Sequence, residues 1–345
     1  MTIVILPDSS GRARLIISAM SYSVSEIGLE HLNSLYNDTR PSLNWSSVFI
    51  TPSWLQVWWQ VFGEGQEPFI RLIKDTDRII GIAPLVVDGH TARFIGSTDV
   101  CDYLDFIIVP GMEKEFFTVL LDNLKEKGIR QLDLKHVRVD STVYGYLTSV
   151  ARDKGYQVKC RADEVSVEMD LASTWDEYLE SLSSKQRHEV RRKLRRLTET
   201  GEVNYQLVDD ISTVPDFMSQ FFEMFTESRT DKAEFLTEQR EAFFRAIVDK
   251  MSEAGLLTLG ILKLDSRIMA SIICFDYNNT VYLYNSGYDP EYNYLSVGLL
   301  SKVLCIQKSI EAGKVKFDFL KGAEAYKYHL GGRDIPLYRC QISIT

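Results

Sequence analysis

Two stretches of this sequence hold residues whose types and spacing could do chemistry. SSKQRHEVRRKLRRL, residues 183–197, sets seven Lys and Arg against one Glu in a chain of net charge -9. At helical spacing Arg187, Arg191 and Arg195 fall on one line, and His188, Arg192 and Arg196 on the next. Like charges four residues apart repel. A bound anion would relieve the strain, although a charge run can equally be a solvated face. The second stretch is YLYNSGYDPEYNYLSVGLLSKVL, residues 282–304. A strand ends near Gly287, the Tyr288-Asp289-Pro290 turn breaks it, and a helix opens at Ser296, Val297 and Gly298. Small residues there let main-chain N–H groups approach an anion such as a pyrophosphate. The same residues can also be no more than a cap.

The elements around these stretches repeat. FIRLIKDTDRIIGIAPLVV (69–87) and LLTLGILKLDSRIMASIICF (256–275) each read as strand, polar turn, strand. FIGSTDVCDYLDFIIVPG (94–111) and VYLYNSGYDPEYNYLSVG (281–298) each lead from a strand into an Asp/Tyr-rich turn. FFTVLLDNLKEKG (116–128) and LLSKVLCIQKSIEAG (299–313) have helical periodicity and a Gly stop. IRQLDLKH (129–136) and VKFDFLKG (315–322) follow as buried strands. Gly128 matches Gly313 and Asp133 matches Asp318 at one offset, 185 residues. Helices interleaved with a mixed sheet make each half an α/β (α+β) unit. The 345-residue length suits two domains, here 1–163 and 164–345. No Gly/Ser linker separates them, so tight packing is expected.

Composition excludes several classes. With 45% hydrophobic and 25% charged residues the chain is globular. Its acidic balance argues against a general DNA or membrane-surface binder. Cys101, Cys160, Cys274, Cys305 and Cys340 are dispersed without CxxC spacing, and read as small buried hydrophobes in a reducing compartment. The His are scattered too, so no metal site is expected. No apolar run is long enough to span a membrane. MTIVILPDSSGRAR lacks a charged n-region and reads as no signal peptide. A cytoplasmic location follows. Trp54, Trp58 and Phe62 recur at helical spacing, as core residues do. Val190, Leu194 and Leu197 give the basic helix an apolar face, and Ser183 or Ser184 can cap it.

The 282–304 stretch resembles the GNAT acyl-CoA N-acyltransferases, which have a Pro after the fourth strand and then Arg/Gln-x-x-Gly-x-Gly/Ala opening a helix. Counted from Pro290, the matching positions are Asn293, Ser296 and Gly298, so Asn replaces Arg/Gln and Ser replaces the first Gly. Further segments in order, TPSWLQVWWQVFG (51–63), GIAPL (81–85), FIGSTDVCDYLDF (94–106), SLSSKQRHEVRRKLRRL (181–197), SGYDPEY (286–292) and FDFLKGAEAYK (317–327), look like the cellulose-biosynthesis-type acetyltransferase branch. That branch is similar to the Fem-type peptidoglycan aminoacyltransferases in having two GNAT-like units, each a mixed, mostly antiparallel sheet flanked by helices.

The resemblance implies an acetyl-CoA or other acyl-CoA donor and direct attack by an acceptor amine on the thioester. It places Asn285, Ser286, Asn293, Ser296, Val297 and Gly298 at the donor, with main-chain N–H groups near Tyr284 polarising the carbonyl. Tyr326 becomes the acid for the leaving thiolate, with Tyr328 second. For the base, Asp289, Glu324 and Asp318 lie on the second half's rim, and Asp102 and Asp105 can approach from the first. Asp318 and Asp105 read better as turn or strand-end residues, which leaves Asp289 and Asp102. Because the first two helices flank the acceptor side, Arg187, Arg191, Arg192, Arg195 and Lys327 are expected to hold an anionic acceptor. A sugar or cell-envelope polysaccharide precursor is the leading class. The first half, without a Gly-rich helix start, is expected to be a degenerate unit shaping the acceptor site. Aminoacyl transfer from charged tRNA is the alternative enzyme, and a catalytically silent binding protein the alternative to an enzyme.

Overall fold

The computed structural model describes residues 2–7, 13–18, 22–96, 100–228 and 230–345. Residues 1 and 8–12 of the N-terminal stretch and 97–99 of FIGSTDVCDYLDF lie outside the described residues. Among the described residues, strands β1 (Thr2–Pro7) and β2 (Ala13–Ser18) pair only with each other. The first half then contributes β3 (Tyr22–Ile27), β4 (Glu67–Asp75), β5 (Arg78–Asp88), β6 (Thr91–Phe94), β7 (Ile107–Ile108) and β8 (Gln131–Arg138). β9 (Gln157–Asp170) holds the 163/164 boundary, and β10 (Val203–Val208), β11 (Leu257–Leu264), β12 (Arg267–Tyr277), β13 (Thr280–Tyr288), β14 (Lys316–Lys321) and β15 (Arg333–Ser343) follow.

One sheet runs through both halves in the order β10-β11-β12-β13-β14-β9-β15-β8-β6-β5-β4-β3, with β7 on β5. It is mixed and mostly antiparallel, flanked by helices. The repeat is visible in its topology. Each half has an antiparallel hairpin whose register shifts at a bulge, Ile73/Lys74 in one and Leu262/Lys263 in the other. Each half then closes with a single parallel pair, β6 with β8 and β13 with β14. A helix joins each parallel pair, Glu113–Glu126 and Val297–Glu311. Gly128 and Gly313 follow these helices with φ 77° and 69°, a left-handed turn that a side chain would resist. Two-residue turns with both φ positive, Asp265-Ser266 and Asn278-Asn279, make β11-β12-β13 a tight meander.

The halves are joined by the insertion of one strand. β15, the last strand, lies between β9 and β8, pairing along its length with both. One core face gathers Trp54, Trp58, Phe49 and Phe106 with Phe243, Phe275 and Tyr282 of the second half. The other collects Val190, Leu197, Leu283, Leu300 and Phe317 under the basic helix. Trp54 and Trp58 are core residues, as their spacing suggests, and Trp54 Nε1 donates to Cys101 Sγ at 3.0 Å.

The cysteine reading needs correction. Cys101, Cys274 and Cys305 are buried thiols, but Cys160 and Cys340 form a disulfide. They stand directly opposite each other on β9 and β15. A pairing made across 180 residues leaves no local spacing signal.

Candidate active site

β13 and β14 are paired only from Thr280↔Lys316 to Tyr282↔Asp318. Beyond that point they diverge, because β13 carries a bulge at Ile273/Cys274 of its partner β12 and β14 one at Asp318/Leu320 against β9. A pocket of ≈ 470 Å³ opens in the gap. Leu283, Tyr284, Asn285 and Ser286 form one wall, and Phe319, Leu320 and Lys321 the other.

The helix Val297–Glu311 starts at this opening. Asp289 caps the preceding 3-10 turn, Pro290–Leu295, by accepting from Glu291 N–H. Ser296 then adopts φ 59°, ψ 36°, which aims the first turn of the helix at the gap. Asn293, Ser296 and Gly298 line the pocket. Ser296 makes no side-chain cap; its Oγ accepts from Lys193 Nζ at 2.6 Å. A Cβ at position 298 would come within 2.7 Å of the Tyr288 ring, so Gly298 is a close-approach position. Leu320, at φ 63°, is a second non-glycine residue in the left-handed region on the pocket wall. Such backbone persists only where its surroundings hold it. Here Lys327 does so, its buried Nζ donating to the carbonyls of Leu320, Lys321 and Gly322 at 2.9, 2.5 and 3.0 Å.

Of the residues expected at the site, Tyr326, Asp102, Asn285, Ser286, Asn293, Ser296, Gly298 and Lys327 share this pocket. Asp102 comes from the first half and accepts from Lys321 N–H at 3.0 Å. Lys327 also lies 3.0 Å from Glu324 Oε2, so its donors are turned to the protein. Val297 is fully buried beneath the helix start. Asp289 is elsewhere, 3.1 Å from Arg267 in an open surface depression with Glu291. The arginines are also apart from the pocket. Arg191, Arg192 and Arg195 are exposed, Arg187 is half-buried, and Arg192 and Arg195 pair with Glu189 and Glu199. From this helix only Lys193 reaches the pocket.

Sequence reasoning missed four lysines there: Lys193, Lys232, Lys302 and Lys321. Lys232 donates to Ser286 O. Lys302 is 7% exposed and donates to Gly298 O at 2.7 Å, with Nζ 5.2 Å from the Tyr326 ring centre. Burial and then the charge of Lys232 push its amine down to about 7, while Cys274, Cys305 and Glu324 pull the other way. Its neighbours at helical spacing, Gly298, Leu299, Cys305 and Ile306, are apolar or small. A Lys on such a stripe was the available signal. Against five lysines the described lining of the pocket sets only Asp102 and Glu324, so the field of these residues favours an anion.

Residues 184–328 match the family model of the acetyltransferase (GNAT) domain. No curated protein matches the sequence. FemX is similar in structure at TM-score 0.63 and 13% identity, over 92% of this chain and 96% of that one. The C-terminal DUF2156 domain of a putative lysylphosphatidylglycerol synthetase from Agrobacterium fabrum gives 0.54 at 12%, covering 84% and 90%. L-PGS from Bacillus licheniformis gives 0.52 at 10%, with the same coverage. These likenesses are of fold, and the fold is GNAT-like.

Proposed function

We propose that this chain is an acyl-CoA-dependent N-acyltransferase built from two GNAT-like units, 1–163 and 164–345, with the donor held by the second. One observation carries the reading. The helix start at Ser296 and Gly298, the diverging strands, Tyr326 and five lysines all open on one pocket, and residues 184–328 match the GNAT domain family. An anionic donor fits this lining. Lys193, Lys232 and the first N–H groups of the helix would receive its phosphates. A CoA thioester supplies an activated acyl carbon, which needs no protein nucleophile.

The chain's own residues then have three tasks. Main-chain N–H groups of β13 past Tyr282, left without a strand partner on the β14 side, polarise the carbonyl. Asp102, directly or through a water, takes the proton that the acceptor nitrogen loses as the N–C bond forms. Tyr326 gives a proton to the sulfur as the C–S bond breaks. Asp289, held by Arg267 on another face, has no part in this. The acceptor class that agrees with the cellulose-biosynthesis-type motifs is an amine on a sugar or cell-envelope precursor.

Aminoacyl transfer from charged tRNA is the second reading. Five lysines suit a nucleic-acid end as well as a nucleotide, and the likeness to FemX and to a lysylphosphatidylglycerol synthetase domain agrees with it. Calorimetric titration with acetyl-CoA, repeated on Gly298→Trp, separates the two. Micromolar binding lost in the variant supports the acyl-CoA donor. No binding of acetyl-CoA or longer acyl-CoAs, with binding of charged tRNA, replaces it with the second reading.

A further inference from the structure

A second cavity, ≈ 210 Å³, lies behind the first. Tyr282 and Asp318, the last pair before β13 and β14 diverge, form its inner wall, next in sequence to Leu283 and Phe319 of the donor pocket. Asp102 faces one cavity, and Tyr103, beside it, faces the other. The remaining lining comes from first-half loops around Ser46, Ser47 and Ser141, and from Arg138, Glu168 and Lys316.

Its chemistry differs from that of the donor pocket. The side chains of Asn44, Ser46, Ser47 and Thr280 hydrogen-bond to no other described residue, although Ser47 and Thr280 are buried. Glu168 is 3% exposed, and its Oε2 completes no hydrogen bond although Arg138 Nη2 lies 3.0 Å away. Distance and alignment disagree there, and the poor alignment leaves that oxygen able to accept from a ligand. Charges are otherwise matched in a chain: Asp140 to Arg138, Arg138 to Glu168, Glu168 to Lys316. Asp105 is occupied by Thr142 and the Phe106 N–H. That leaves Asp318 as a buried carboxylate with no cation in ion-pair contact among the described residues, Arg138 acting on it from farther off; it accepts from Tyr103 OH at 2.5 Å, Leu320 N–H at 2.8 Å and Ser166 at 3.4 Å. Leu104 is the one aliphatic residue of the lining, while the Tyr103 and Tyr282 rings supply flat apolar faces.

We infer that this cavity is a second ligand site, taking a monosaccharide-sized, hydroxyl-rich ligand that carries an ammonium group: an amino sugar. The volume is that of about seven water molecules at ~30 Å³ each, the scale of one six-membered ring. Unpaired hydroxyl and amide groups from several loops match a ring of hydroxyls. Four carboxylates against two cations exclude a phosphate and favour a positive charge. Burial also pushes the Asp318 carboxyl up to about 6, so it is charged at neutral pH and gains from a cation beside it. The inference rests on this cavity alone, and the donor reading can fail without it.

The test is calorimetric titration of the full chain at pH 7.5 with glucosamine, glucose and glucose 6-phosphate. Glucosamine is expected to bind about tenfold more tightly than glucose, with glucose 6-phosphate not binding. Ser46→Trp, a substitution at an exposed position on the mouth, should abolish glucosamine binding while leaving the melting temperature and acetyl-CoA titration unchanged. Asp318→Asn should erase the preference for glucosamine over glucose. Undiminished binding in Ser46→Trp, equal or tighter binding of glucose 6-phosphate, or no binding of any of the three sugars overturns the inference. Loss of acetyl-CoA binding alone would overturn only the donor assignment.

Discussion

Replacing Lys302 by Met should make the protein more stable, and by an amount that depends on pH. Lys302 is buried, has no carboxylate within ion-pair distance among the described residues, and its amine falls from the ordinary 10.5 to about 7. Above pH 10.5 folded and unfolded chains both carry a neutral amine, and the residue imposes no charge penalty. Between 10.5 and about 7 the unfolded chain binds a proton that the folded chain refuses. Stability therefore falls as pH falls, by about 1.4 kcal/mol per pH unit. Below about 7 both are protonated and the penalty is constant, with a ceiling of ~5 kcal/mol. Met fills similar space without the charge but gives up the hydrogen bond to Gly298 O, worth about 1 kcal/mol. Urea denaturation of both proteins at pH 6, 8 and 10 should show Lys302→Met ahead by several kcal/mol at pH 6, with the gap closing toward pH 10. A gap independent of pH, or a variant less stable at pH 6, refutes the reasoning.

A residue this costly needs a reason, and the proposed anionic donor would supply one. Phosphates brought to the pocket would offset the repulsion from Lys232 and favour the protonated amine, so donor binding near pH 8 should take up a proton. Acetyl-CoA titrations in buffers of different ionisation enthalpy would show this, and the dependence should disappear in Lys302→Met.

Other residues give sharper functional splits. Tyr326→Phe should lower kcat by ~10²-fold with donor KM unchanged, since the ring that packs on Phe319 is kept; unaltered turnover removes its acid role. Gly298→Ala should weaken acetyl-CoA binding without unfolding, because the new Cβ must displace the Tyr288 ring, as titration and circular dichroism would report. Lys327→Met should lower stability by ~3 kcal/mol or more, leaving three carbonyls without their shared donor, read as a fall in Tm. Dithiothreitol should lower the Tm of the parent but not of Cys160→Ser, since the bond closes a 180-residue separation worth up to ~5 kcal/mol.

What was legible in the sequence is what short-range physics encodes. The two matching strand-turn-strand segments, the Gly stops at 128 and 313, and the apolar stripe of the basic helix all follow from periodicity and turn chemistry, and all appear in the fold. So does the helix start at Ser296, whose turn residues are contiguous with it. The insertion of β15 between the halves and the disulfide it carries depend on pairing across most of the chain. The lysines of the pocket escaped notice for the same reason. Lys232, Lys302 and Lys321 stand on three separate elements with no shared spacing, and only the divergence of β13 from β14 brings them together.

The two carboxylates put forward as bases show the limit most directly. Asp102 and Asp289 each sit in a Tyr/Asp-rich turn after a strand, and nothing local separates them. What separates them is tertiary. Asp289 has a guanidinium beside it and caps its own turn, so its oxygens serve local structure at the surface. Asp102 is 9% exposed, crosses from the first half, accepts among the described residues from the Lys321 N–H, and lines the pocket. In the proposed transfer, the first half's contribution to the donor pocket is that one side chain. Asp102→Asn should then abolish transfer to an amine while leaving acetyl-CoA affinity intact, whereas Asp289→Asn should change neither. Equal losses in the two variants would mean that the first half contributes shape rather than chemistry.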